Sequence, residues 1–326
     1  MSITLCGKTI GPVGFGLMFY NDCSVDDAVK LMKTAVDNGA NCWNGATFYG
    51  PPDKNSLVFI NAYFKKYPED ADKIVINIKG GVRIPTFVPD NSEENTRETI
   101  ENCLRQLDGT HKIDVFECAR VDPDVSIEDE MKTLVALVKE GKIGAIALSE
   151  VNANTIRRAH AIHPIVSVEV EVSLWSTNIF SNGVAATCAE LGIPILAYSP
   201  LGHGMLAGKY KSHLDLAGSF VSHMPRFHQD AFEKNFELVK AITGVAERKG
   251  CTPAQIALGW LRALSGKNGN PVIIPIPGSS NEKRIVENMV DIKLTDEEME
   301  EIQAVLDSFE VTGARYGGKQ EQFLEG

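Results

Sequence analysis

The sequence has no Cys-x-x-Cys pair, and no histidine stands beside a cysteine at zinc-ligand spacing. Its seven cysteines, Cys6, Cys23, Cys42, Cys103, Cys118, Cys188 and Cys251, are odd in number and scattered. They are expected as reduced thiols, which argues against a disulfide scaffold and a zinc module. Basic charge is short as well: 32 Lys and Arg face 43 Asp and Glu, a net charge of -11. That field repels phosphates and argues against nucleic acid or an anionic membrane surface as a partner. No apolar run approaches bilayer length, and Met1-Ser2-Ile3-Thr4 does not begin a basic-then-apolar leader. A cytoplasmic protein is expected, with a nuclear pool left open. The Gly-x-Gly-x-x-Gly fingerprint is missing, because Gly14-x-Gly16 lacks a third glycine. No low-complexity linker divides the chain, so residues 1–326 are expected as one domain.

What is present is alternation. Residues 3–10 read as a small hairpin about Gly7. Apolar strands are expected at 13–18, 40–44, 74–79, 113–119, 143–148, 166–171, 193–198 and 272–276. Helices are expected at 25–38, 93–106, 126–140, 152–161, 181–191, 230–249, 253–265, 280–290 and 295–308, with an irregular insertion over 202–228. Eight buried strands joined by helices predict a parallel sheet closed into a (β/α)8 TIM barrel, with an N-terminal β-hairpin. Such barrels build their sites at the C-terminal strand ends. The polar residues there are Asn44, Lys79, Arg120, Ser149, Glu150, Glu169, Glu171, Tyr198, Ser199 and Ser279.

Two of these ends suggest acid–base chemistry. Trp43-Asn44-Gly45-Ala46-Thr47-Phe48-Tyr49-Gly50 ends a strand on Asn44 and then offers a tyrosine on the following loop. A phenol titrates near pH 10 and is a poor acid unless a cation lies beside it. The next strand closes on Lys79. Either residue alone reads as packing or a solvated cap; on consecutive strand ends they read as an acid and its activating cation.

A second region suits a phosphate. In Pro277-Gly278-Ser279-Ser280-Asn281-Glu282-Lys283-Arg284 a strand breaks and a helix begins, with Ser279 expected as its cap and Glu282 reaching back. Free amides at a helix start bind anions. Ser280, Arg284, Glu287 and Asn288 share one face of that helix, and a guanidinium there can hold a phosphate. The bland alternative is a capped surface helix with an Arg284/Glu287 pair. The glycines of Tyr198-Ser199-Pro200-Leu201-Gly202-His203-Gly204 would let a pyrophosphate approach the backbone, and Tyr198 could stack on an aromatic ring.

Taken together, the Tyr49/Lys79 pair, the strand-end residues and the Pro-Gly-Ser segment resemble the aldo-keto reductase family, from Val13 to about Leu306. The resemblance implies NADPH-dependent carbonyl reduction with Tyr49 as acid, Lys79 as its lysine, and Asn44 where the family carries its aspartate. Ala119 stands where the family carries histidine. It implies cofactor contacts from Gly16, Leu17, Ser149, Glu150, Glu169, Tyr198, Ser199, Pro200, Leu201, Gly278, Ser279, Asn281, Arg284, Glu287 and Asn288. Met18, Phe48, Ala119 and Arg120 would line the substrate pocket. The WN-x(3)-FYG, ECARVD and LSE motifs are similar to those of fungal pyridoxal reductases, which implies pyridoxal as the carbonyl substrate.

The exchanges at Asn44 and Ala119 leave three readings open: a pyridoxal reductase, a general aldehyde or ketone reductase, and a barrel that binds NADPH without turnover. Lys79, lacking a carboxylate partner, would lower the Tyr49 pKa if charged, yet burial favours its neutral form. Glu117 shares strand parity with Ala119 and is a candidate replacement carboxylate, with barrel filling as the plain alternative. Arg120 is a candidate donor in place of the histidine. Arg226 and His228, in the insertion, are expected at the surface.

Overall fold

The computed structural model describes residues 3–18 and 23–326. The chain opens with the expected hairpin, β1 (Ile3–Leu5) against β2 (Lys8–Ile10), in register Ile3 to Ile10. Eight parallel strands follow in one sheet: β3 (Phe15–Gly16), β4 (Cys42–Ala46), β5 (Val75–Gly80), β8 (Ile113–Cys118), β9 (Ile143–Ser149), β10 (Ile165–Glu171), β11 (Ile195–Tyr198) and β12 (Ile273–Pro275). A short ribbon, β6 (Val82–Arg83) with β7 (Val88–Pro89), stands outside that sheet. The amide of Gly14 donates to Pro275 O at 2.9 Å and that of Gly16 to Pro277 O at 3.3 Å, so the first and last strands meet. The architecture is the (β/α)8 barrel.

The helices are α1 (Val25–Asp37), α2 (Ser56–Lys66), α3 (Glu93–Leu107), α4 (Ile127–Lys139), α5 (Ala153–Ile162), α6 (Val184–Leu191), α7 (Gln229–Lys249), α8 (Pro253–Leu264), α9 (Glu282–Met289), α10 (Asp296–Asp307) and the single turn α11 (Gly318–Glu321). Helix α2 was not expected from the sequence: Leu57, Phe59, Ile60, Tyr63 and Phe64 form its buried face, but Val58 and Ala62 add apolar residues off that face and blur the periodicity. Asn55 caps it, accepting from Leu57 N and Val58 N. The first barrel strand is also shorter than expected, two residues rather than six.

Strand alternation sorts the barrel interior by height. At the bottom, Cys42, Val75, Val115, Ala147, Leu196 and Ile274 form an apolar layer, plugged from below by Leu5 and Ile10 of the hairpin. One step up, the same parity brings in Asn44, Asn77, Glu117 and Glu169, all buried. The interior therefore turns polar toward the C-terminal mouth.

Candidate active site

Tyr49 stands on the loop after β4. Its amide reaches Ala46 O at 3.4 Å, and its carbonyl accepts from Ser56 N at 3.2 Å, pinning the turn to the start of α2. Lys79 is the penultimate residue of β5, with Nζ 5.0 Å from the Tyr49 ring centroid. The pairing inferred from consecutive strand ends is thus real in space. Burial pushes the Tyr49 phenol above its ordinary value, and the charge of Lys79 draws it only part of the way back. Lys79 acts in the expected direction, but desolvation dominates the net result.

Lys79 is 3% exposed and has a carboxylate after all. Its ammonium lies 3.0 Å from Glu169 Oε1 and 3.1 Å from Oε2, and also donates to Asn44 Oδ1. The Asn44 amide in turn donates to Glu169 Oε2. Burial alone would lower the Lys79 pKa; Glu169, with Tyr49 and Glu117 adding to it, more than reverses this and raises it. The lysine is held as a cation. Glu117 is more distant, 3.9 Å from Lys79. One of its oxygens accepts from Asn77 Nδ2 at 3.2 Å, and the Glu169 carboxylate is a further polar neighbour. Burial and the neighbouring Glu169 charge push Glu117 well above the usual carboxylate range. Of the two acids, the one singled out as the replacement carboxylate is the more distant from Lys79, and Glu169 makes the direct contact.

The mouth holds a second charged cluster. Glu150, placed by resemblance at the cofactor, is bound by Arg315 at 2.7 and 3.1 Å, and Glu171 accepts from Arg315 Nε at 2.8 Å. Arg315 also donates to the Tyr198 hydroxyl at 2.6 Å, and the Tyr316 hydroxyl donates to the same oxygen at 3.3 Å. Arg226, expected at the surface, instead turns inward to Ser176 Oγ at 2.8 Å and Glu171 Oε1 at 3.5 Å; His228 is exposed, as expected. Neither Arg315 nor Tyr316 was singled out from the sequence, since both follow the last expected helix. The signal was present on the other side: two acids at barrel strand ends, Glu150 and Glu171, require a buried cation. Glu150 and Ser199 adopt φ of +52° and +47°, non-glycine left-handed backbone just beyond β9 and β11, a kind of strain that gathers at functional rims.

A cleft of about 440 Å³ runs from Asn44 and Tyr49 past Gly16, Met18 and Tyr198–Leu201 to Gly278, Ser279, Asn281, Arg284, Glu287 and Asn288. It joins the acid–base pair to the expected phosphate end. Leu17 is buried beside it, its amide donating to Asn44 O at 2.9 Å. Phe48 stacks edge-on against Tyr49 and Phe87, at 5.2 and 5.9 Å between centroids. Ala119 is buried, and the Arg120 guanidinium lies 5.7 Å from the Tyr316 ring centroid. The helix start differs from expectation. Asn281, not Ser279, caps α9, accepting from Arg284 N at 3.2 Å, because Ser279 closes a turn with Asn281 N. Glu282 turns away to Lys30 and Thr34 of α1, at 2.9 and 3.2 Å. Glu287 accepts from Thr252 Oγ1 at 2.6 Å and forms no pair with Arg284.

The aldo/keto reductase family model matches residues 12–307. The chain belongs to the aldo/keto reductase family. It is 40% identical to a probable pyridoxal reductase 2 of Schizosaccharomyces pombe, over 98% of each chain. It is 36% identical to a putative pyridoxal reductase of Saccharomyces cerevisiae, over 84% of each. Among solved structures, a glycerol dehydrogenase from Gluconobacter oxydans superposes with a TM-score of 0.79 at 20% identity, covering 95% of this chain and 96% of that one. Family members are oxidoreductases that use nicotinamide cofactors on small carbonyl compounds. Such a cofactor fits the residues present. The Ser149 hydroxyl is buried and has no hydrogen-bond partner among the described residues. A Cβ on Gly16 would stand 2.8 Å from Ile276 O and 3.4 Å from Gly278 N, inside the cleft wall. Arg284, exposed at the far end, forms no ion pair among the described residues.

Proposed function

We propose that this protein is an NADPH-dependent reductase of pyridoxal, converting the aldehyde to the alcohol pyridoxine. The observation that carries the reading is the Tyr49 phenol beside a charged Lys79 at the head of a cleft that ends on Arg284. When bound, NADPH supplies the hydride. The chain's residues do the rest. Tyr49 donates its phenolic proton to the carbonyl oxygen, and Lys79 stabilises the charge that develops on the tyrosine oxygen. The Ser149 hydroxyl is available to the nicotinamide carboxamide, and Arg284 to a 2'-phosphate. Arg120, which forms no ion pair among the described residues, offers a cation near Tyr49 for the hydroxyl oxygen borne by the ring of a hydroxypyridine aldehyde. The absent imidazole at Ala119 leaves space for the ring substituents. The two yeast relatives support the substrate.

The test is NADPH oxidation with pyridoxal, set beside a panel of unrelated aldehydes and ketones. Pyridoxal should be preferred, and Tyr49→Phe should lower kcat by about 10²–10⁴-fold while NADPH still binds. Equal turnover of unrelated carbonyls would leave a general reductase. NADPH bound but never consumed would leave a non-catalytic barrel.

A further inference from the structure

Lys79 lies on β5 and Glu169 on β10, with β8 and β9 between them in the sheet. Their contact crosses the barrel interior. We propose that Glu169 is the counter-carboxylate of Lys79, and that through this lysine it is a positioning residue for the Tyr49 acid. The proposal rests on the reductase reading above and adds the residue that replaces the charge missing at Asn44.

Three observations support it. The ammonium of Lys79 lies within 3.1 Å of both Glu169 oxygens, and both side chains are almost wholly buried. Asn44 bridges the two: its oxygen accepts from the lysine and its amide donates to Glu169. A carboxylate at position 44 would stand against Glu169 instead, so the amide there fits the acid opposite. Finally, Glu117 brings a second acid to the same cation at 3.9 Å, where one ammonium cannot balance two charges in a dry interior. Burial and Glu169 push the Glu117 carboxyl up, and the direct contact with the cation is made by Glu169.

An aspartate–lysine pair and an asparagine–glutamate–lysine set hold the same charge with the acid and amide exchanged between strands. Exchanging them back is therefore a direct test. Glu169→Gln should lower kcat by about tenfold or more, because Lys79 loses the carboxylate that contacts it directly and is left with Glu117, the more distant acid. KM for the carbonyl and the Kd for NADPH, measured by fluorescence titration, should stay within about twofold. Tm should fall. Adding Asn44→Asp to Glu169→Gln should recover most of the lost kcat and Tm.

A double variant no better than Glu169→Gln would overturn the proposal. So would a loss of NADPH affinity that accounts for the fall in activity, since that makes Glu169 a cofactor contact. Where Glu169→Gln alone does not fold, a folded and active double variant supports the pair and an unfolded one overturns it. Wild-type protein that turns over no carbonyl defeats the reductase reading alone. The Tm recovery then decides the ion pair.

Discussion

At the residue scale, the site depends on which charges have partners. Arg97, Arg157 and Arg158 each bind a carboxylate on the outer surface, whereas Arg284 and Arg120 have no ion pair among the described residues although they border the cleft or its mouth. Unpaired guanidinium groups around a concave site are ready for anionic ligand groups. Arg284→Ala should therefore raise KM for NADPH by about tenfold or more and leave KM for NADH within about twofold. Parallel loss with both cofactors would remove Arg284 from the 2'-phosphate. The sequence suggested Arg284 through helix spacing, but its freedom from Glu287 follows from α8, where Thr252 takes that carboxylate.

At the element scale, loops meet at the mouth through buried polar groups, and one of them makes stability depend on pH. Asn91, after β7, donates to Arg120 O at 2.9 Å and to Glu130 of α4 at 2.7 Å, tying two rim loops to one helix. Burial pushes the Glu130 carboxyl up from its ordinary value near 4.5 to about 7, although the bond from Asn91 opposes this. The folded chain holds this proton over a range where the unfolded chain has released it. The stabilisation is full below about pH 4.5 and is lost as pH rises through about 7. Glu130→Gln keeps the acceptor and removes the titration. The variant should match wild type in stability near pH 5 and exceed it at pH 8 by an amount on the order of 2 kcal/mol, read as a higher Tm. Equal Tm at both pH values would show that the carboxyl does not titrate in this window. The same scale accounts for Arg315: residues beyond α10 cross the mouth to neutralise Glu150 and Glu171, acids carried on β9, β10 and their rim.

At the scale of the whole molecule, function depends on closure. The seam between β3 and β12 rests on Gly14 and Gly16, whose amides bond to Pro275 and Pro277. A Cβ on Gly14 would stand 2.6 Å from Cys42 O and 2.9 Å from Ile276 Cγ2. Gly14→Val should cost about 1–3 kcal/mol in overpacking, read as a lower Tm, and should weaken NADPH binding because the cleft wall moves with the seam. A variant with wild-type Tm would mean that the seam has room to spare.

The sequence by itself determined the strand–helix alternation, and therefore the barrel, because buried parallel strands appear as apolar runs and amphipathic helices as spaced ones. It also determined the Tyr49–Lys79 pair, since consecutive strands of a barrel are neighbours and their ends share a rim. It lost α2, where apolar Val58 and Ala62 beside the buried face blur the periodicity that marks a helix, and it misplaced the cap of α9, because Ser279 and Asn281 are both competent caps and only the local turn chooses between them. Only the tertiary structure decided the charges. Glu169 reaches Lys79 from three strands away, and Arg315 reaches Glu150 over 165 residues. A closed barrel turns separations along the chain into contacts across its interior, and strand parity says which side chains enter that interior without saying which of them meet.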